Sequence, residues 1–151
     1  MPENLKQKTL FTSGYEGVAL EDFIDQLKRN DVQILIDIRE KPLSRKKGFS
    51  KKSLTAALAL ENIDYLHLKE LGSPSELRKK LREDKDYSYF FNKFSSYLSS
   101  NKKCLQEALE VIQSSIACLL CYEKNHKECH RKLVVEELIQ MNNDELHVKH
   151  L

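Results

Sequence analysis

No apolar run in this 151-residue sequence approaches the roughly 18 residues that a bilayer-spanning helix requires, so no membrane segment is expected. The opening residues, Met-Pro-Glu-Asn-Leu-Lys-Gln-Lys, lack the apolar core of a secretory signal, which leads to the expectation of a cytoplasmic protein. Net charge is scarce as well. Lysine and arginine number 25 against 23 acids, and a formal +2 excludes a chain that is polybasic overall. There is no internal repeat, no low-complexity tract and no Pro/Gly/Ser linker, so one domain over residues 1–151 is expected; 40% hydrophobic residues suffice for its core. In an intracellular chain the four cysteines read as free thiols, ligands or catalytic groups rather than as a disulfide framework.

What is present is an alternation of strands and helices. Thr9 to Ser13 reads as a short strand leading into a turn at Gly14-Tyr15-Glu16-Gly17. From Ala19 to Arg29 the apolar residues Leu20, Phe23, Ile24 and Leu27 follow the i, i+3, i+4, i+7 stripe of a helix buried on one side. Val32 to Ile38 is apolar on both faces, as a central parallel strand would be. Ser50 to Leu60 is helical and Ile63 to His67 a strand. The charged stretch Leu68 to Asp86 reads as irregular, a candidate lid. Helices are expected near Tyr87 to Leu98 and Lys103 to Ser114, then strand Ile116 to Cys121, helix Cys129 to Met141 and strand Leu146 to His150. This order predicts an α/β fold, a three-layer sandwich with about five mostly parallel strands flanked by helices.

Parallel strands open onto one rim, and ligands of such sheets bind at the carboxyl ends. Those ends deliver Gly14-Tyr15, Asp37-Ile38-Arg39, His67, Cys121-Tyr122-Glu123 and His150, whereas the entering ends offer only Lys8, Gln33 and Asn62. The asymmetry predicts a cleft at the C-terminal rim. Asp37 and Arg39, two apart, point the same way: either a plain salt bridge, or an Arg that holds an anion beside an orienting or basic Asp. Pro42 to Ser53 carries Arg45, Lys46, Lys47, Lys51 and Lys52 without an acid; it is a solvated loop, or a device that gathers phosphates. Phe49 is its single candidate for base stacking.

Cys129-His130-Arg131 stands at the start of a helix, where amide dipoles and flanking cations lower a thiol's pKa. Cys129 is thereby a candidate nucleophile or redox group, with His126 or His130 as proton partner. The rival reading is a buried Cys129 with Arg131 paired to Glu123. Cys121, His126, Cys129 and His130 include four possible zinc ligands, but their spacing is poor and the sheet needs no metal to fold, so neither a metal nor a Cys121–Cys129 disulfide is expected. No pattern names a cofactor.

These motifs resemble, over nearly the whole chain, the domain-of-unknown-function 488 family of small microbial proteins. The matching elements are Thr12-Ser-Gly14-Tyr15-Glu16, then Asp37-Ile-Arg39 with Pro42, Ser44 and Phe49, then Tyr65-Leu-His67-Leu with Leu71-Gly72. The most specific are Cys121-Tyr-Glu123-Lys124 with Cys129-His130-Arg131, followed by the terminal Val148-Lys-His150-Leu151. Tyr122 stands where the family typically has Ala, and Ser73 where a second Gly is common. The resemblance implies an α/β fold whose motifs gather in one cleft and names no reaction. The expected function is an enzyme acting on a phosphorylated, nucleotide or nucleic-acid substrate. In it Cys129, His130, Glu123 and Asp37 are catalytic, and Gly14, Tyr15, Arg39, Ser44, His67, Cys121, Arg131 and His150 bind substrate. The alternative is a non-catalytic module that binds an anion or a partner through the same residues.

Overall fold

The computed structural model describes residues 8–125, 127, 129–143 and 145–151. The described chain forms strand β1 (Lys8–Gly14), helix α1 (Leu20–Arg29), β2 (Ile34–Asp37), α2 (Lys51–Ala59), β3 (Asp64–His67), α3 (Ser75–Asp84), α4 (Tyr87–Ser99), α5 (Lys102–Ser114), β4 (Ala117–Cys121), α6 (Arg131–Met141) and β5 (Leu146–His150). A 3-10 turn at Lys69–Leu71 follows β3. The five strands make one parallel sheet in the order β3-β2-β4-β1-β5, with registers such as Gly14↔Cys121 and Asp37↔His67. This is the expected α/β sandwich.

Side-chain alternation divides the core in two. Phe11, Leu35, Cys118 and Leu120 pack against Phe23 and Leu27 of α1 and Leu54 and Leu58 of α2 on one face. Leu10, Ile36, Leu119 and Cys121 pack on the other against α4, α5 and α6 through Phe94, Leu98, Leu105, Leu109, Val134 and Leu138. β4 is buried at all five positions because it is the central strand and is covered on both faces. Chain travel from β1 to β3 runs one way along the sheet beneath α1 and α2, and travel back to β5 runs the other way beneath α4 to α6. The loops leaving β2 and β4, neighbours in the sheet, therefore part to opposite faces and leave a crevice between them.

Three expectations are corrected. The stretch from Leu68 to Asp86 is ordered, because Leu68 and Leu71 are buried in the core and α3 packs beside α4 up to a left-handed Lys85 (φ 56°). Strand β2 starts at Ile34, after a turn in which Gln33 spends its backbone and side chain on Ile116. Helix α6 starts at Arg131, with His130 as its cap residue and Cys129 in the bend before it. Among the described residues no helix is long and apolar enough to cross a membrane.

Candidate functional site

Asp37 ends β2 with no exposed surface, and Arg39 beside it is 6% exposed. The guanidinium clasps the carboxylate with two bonds, Nε to Oδ1 at 2.9 Å and Nη2 to Oδ2 at 2.7 Å. Its Nη1 donates to the Phe49 carbonyl at 2.7 Å and the Tyr15 hydroxyl at 3.2 Å. The Tyr65 hydroxyl, which sequence reasoning missed, donates to the same carboxylate. Burial opposes charge on Arg39, but the Asp37 bonds outweigh it and hold the guanidinium's pKa above its ordinary value. Four of five guanidinium donors are thus spent on the protein itself, and the pair fastens β1, β2 and the basic loop together. Phe49 is no exposed platform: it is fully buried and stacks on Tyr15 with ring centroids 4.4 Å apart.

The loop after β4 is stitched to the turn after β1. Tyr15 N–H donates to the Cys121 carbonyl at 3.3 Å, Glu16 N–H to Tyr122 at 2.9 Å, and Lys124 N–H to the Glu16 carboxylate at 3.1 Å. Gly14 is required by close approach, since a Cβ there would stand 1.7 Å from the Glu123 carbonyl oxygen. Gly72 meets the same condition, with the Glu40 nitrogen 2.2 Å from where its Cβ would be. Glycine at both positions lets the loops of different strands touch along the rim.

Above this seam lies a cavity of about 690 Å³ lined by Tyr15, Arg39, Ser44, Glu123 and His130 together with Glu40, Lys41, Arg45, Lys46, Ser73, Arg78 and Tyr122 among others. The fold thus brings five of the expected residues to one cleft. Ser44 shapes its basic wall, accepting from Lys46 N–H at 3.1 Å while its own N–H donates to Ser50 Oγ at 3.0 Å. Arg78, hidden in the charged stretch, reaches the Ser73 carbonyl and pairs with Glu40 at 3.0 Å, and no sequence signal pointed to it. Tyr122 is 48% exposed and meets Tyr15 edge-on at 5.3 Å.

Other expected residues stand elsewhere. Cys129 is 1% exposed, with its Sγ 2.7 Å from Cys121 Sγ. The helix-start argument predicted a lowered thiol pKa; burial, reinforced by Cys121, instead pushes it well above the ordinary value. His130 turns both ring nitrogens inward, Nε2 to the Ile38 carbonyl at 3.0 Å and Nδ1 towards Cys129 Sγ at 3.6 Å. Arg131 is 1% exposed and does not pair with Glu123; its Nη2 donates to the Lys124 carbonyl at 2.8 Å, while Nε and Nη1 have no partner among the described residues. His67 bonds the Arg39 carbonyl at 2.7 Å but faces a second depression with Lys102, Lys103 and Cys104. His150 lies on the edge strand, bonded to Thr12 Oγ1. His126 lies outside the described residues. Cys121 and Cys129, whose spacing argued against a metal, come together with Glu123, which the sequence had not offered as a ligand, their ligand atoms within 4.8 Å of one another.

Thiol reactivity follows from these positions. Cys104 is half-buried and pushed up to about 11 by burial and then by Glu70 and Glu107, and Cys118 is pushed up to about 12 by complete burial. Iodoacetamide labelling of Cys104, followed by peptide mass spectrometry, should rise about tenfold per pH unit between pH 7 and 10, because only the thiolate attacks. Cys118 should stay unlabelled in the native protein. A Cys104 rate that levels off near pH 9 would contradict this.

The model of the family described as Domain of unknown function DUF488 matches residues 19–138. No curated protein and no solved structure matches the chain.

Proposed function

We propose that this chain, which belongs to the DUF488 family, is an enzyme that acts on a phosphorylated, nucleotide or nucleic-acid substrate in the rim cleft. The observation that carries the reading is the cleft's charge. Lys41, Arg45 and Lys46 line it without an ion pair among the described residues, while Arg39 is tied to Asp37 and Arg78 to Glu40. Three uncommitted cations on one wall, in a concave site, favour an anion and raise its local concentration. Tyr122 offers a half-exposed ring on which a base or other planar group can rest.

Glu123 is the chemical group of the site. It lines the cleft, and its backbone is locked against Gly14. Cys129 stands behind the wall and packs on His130, whose ring reaches the lining while Nε2 bonds the Ile38 carbonyl, so the pair holds the wall beside Glu123.

The test uses inorganic phosphate, a nucleoside monophosphate and a single-stranded oligonucleotide as probes, with binding and turnover measured separately. Arg45→Ala and Lys46→Ala should each weaken phosphate about fivefold at low salt, and binding should fade at 1 M salt, where the screening length is about 3 Å. Glu123→Gln should retain affinity but lose turnover by roughly 10²–10⁴, the scale of a general acid–base. Binding without turnover by either protein would favour the non-catalytic module, and no binding of any phosphate compound would reject the cleft as an anion site.

A further inference from the structure

Behind the cleft wall is a group of side chains that phosphate binding leaves unexplained. Two buried sulfurs, Cys121 Sγ and Cys129 Sγ, approach to 2.7 Å, far inside the roughly 3.5–4.0 Å of ordinary non-bonded contact. Sulfurs this close do not rest as unlinked neighbours: they join in a bond, or part to the spacing that a shared cation sets. The Glu123 carboxylate completes a triangle whose ligand atoms lie within 4.8 Å of one another. We propose that Cys121, Glu123 and Cys129 bind a thiophilic divalent cation of the zinc class, with an open coordination position facing the cleft.

The backbone explains how this set arises without a Cys-x-x-Cys hook. Cys121 is the last residue of β4 and Glu123 lies two residues on, so both project to the same side as the strand runs out. Cys129 returns to them from the bend that precedes α6. Register with Gly14 fixes Cys121, and the Gly14 contact fixes the Glu123 backbone, so two of the three ligands are held by the sheet. A tetrahedral zinc with metal–sulfur bonds near 2.3 Å holds its sulfurs about 3.8 Å apart, an opening that small side-chain rotations supply.

The surroundings of the sulfurs fit a bound thiolate. Arg131 N–H points at Cys129 Sγ from 3.5 Å and is a donor that a thiolate there would accept. The buried Arg131 that follows Cys129 is a second observation at this place. Arg131 is 1% exposed, and its guanidinium has two nitrogens without a partner and no acid within salt-bridge range among the described residues. Its Nη2 reaches the carbonyl of Lys124, the residue after Glu123, which brings this unpaired cation to the loop that carries the anionic ligand. Two thiolates in the set select zinc-class ions over magnesium or calcium. Glu123 supplies the entry path, since it alone of the three lines the cavity.

The full chain, purified without chelator, should carry about one equivalent of zinc by elemental analysis. Stripped under reducing conditions and titrated with Co²⁺, it should develop thiolate-to-cobalt absorption that saturates at one ion per chain. That absorption should disappear in Cys121→Ser and Cys129→Ser, and Glu123→Gln should weaken Co²⁺ by at least about 10–100-fold. Cys104→Ser should behave as the parent does. If the serine variants fail to fold, protection of Cys121 and Cys129 from alkylation by added Zn²⁺ in the parent chain gives the same answer. The proposal is overturned if the reduced chain takes up no stoichiometric metal, or if Co²⁺ absorption survives both serine changes. It is equally overturned if air converts the two cysteines to a disulfide, seen as the loss of two hydrogens, while the reduced form ignores zinc. None of these readouts involves substrate, so failure here and failure of the phosphate reading are separable.

Discussion

Asp37→Ala should destabilise the domain by about 3–5 kcal/mol, the range for stranding one member of a buried ion pair. The reason is the state in which it leaves Arg39: a guanidinium 6% exposed, with two of its bonds gone and no other acid in reach. Tyr65 loses its acceptor at the same time. For a chain of this length the melting temperature should drop by roughly 6–20 °C. Asp37→Asn should cost less, because the amide oxygen still accepts one bond. The double change Asp37→Ala with Arg39→Met should recover part of the single variant's loss, since it removes the stranded charge together with its partner. A single variant that melts within a degree or two of the parent would mean that the clasp is not formed in solution.

That clasp also marks where the sequence was readable and where it was not. Spacing showed that Asp37 and Arg39 project together, and the structure pairs them; what spacing could not show was that Tyr15, Phe49 and Tyr65 converge on them from three distant segments. The parallel sheet was legible because strand and helix periods alternate cleanly, and the central strand β4 announced itself as an unbroken apolar run. Helix α3 was not, because it buries no residue fully and so leaves no stripe in the pattern. Its Arg78 consequently went unnoticed as part of the cleft. The cysteines teach the opposite lesson. A helix-start position implies a lowered thiol pKa only while the thiol is solvated, and Cys129 is buried. Nor could spacing show that a strand end and the bend before a helix meet across eight residues.

Gly14→Ala should be as damaging as the loss of Asp37, for a steric rather than an electrostatic reason. The new methyl would stand 1.7 Å from the Glu123 carbonyl oxygen and 2.3 Å from its carbon, and both are backbone atoms that cannot swing aside. Relief requires the seam between residues 14–16 and 122–124 to open, at the cost of hydrogen bonds such as Glu16 N–H to the Tyr122 carbonyl. Overpacking of side chains costs about 1–3 kcal/mol, and a backbone collision lies at or above the top of that range. The melting temperature should fall by roughly 6–12 °C or more. Gly17→Ala is the control: nothing lies within 4 Å of its Cβ, and only its left-handed backbone (φ 74°) resists the change, at about 1 kcal/mol. The two variants should separate in the cleft as well. Displacing the Glu123 backbone moves the group to which the proposed turnover and cation binding are both assigned, so Gly14→Ala should impair each even below its melting point, whereas Gly17→Ala should spare cation binding. If the two variants melt alike and bind Co²⁺ alike, the Glu123 carbonyl does not rest on β1, and the wall of the cleft is not the rigid seam from which both activities were argued.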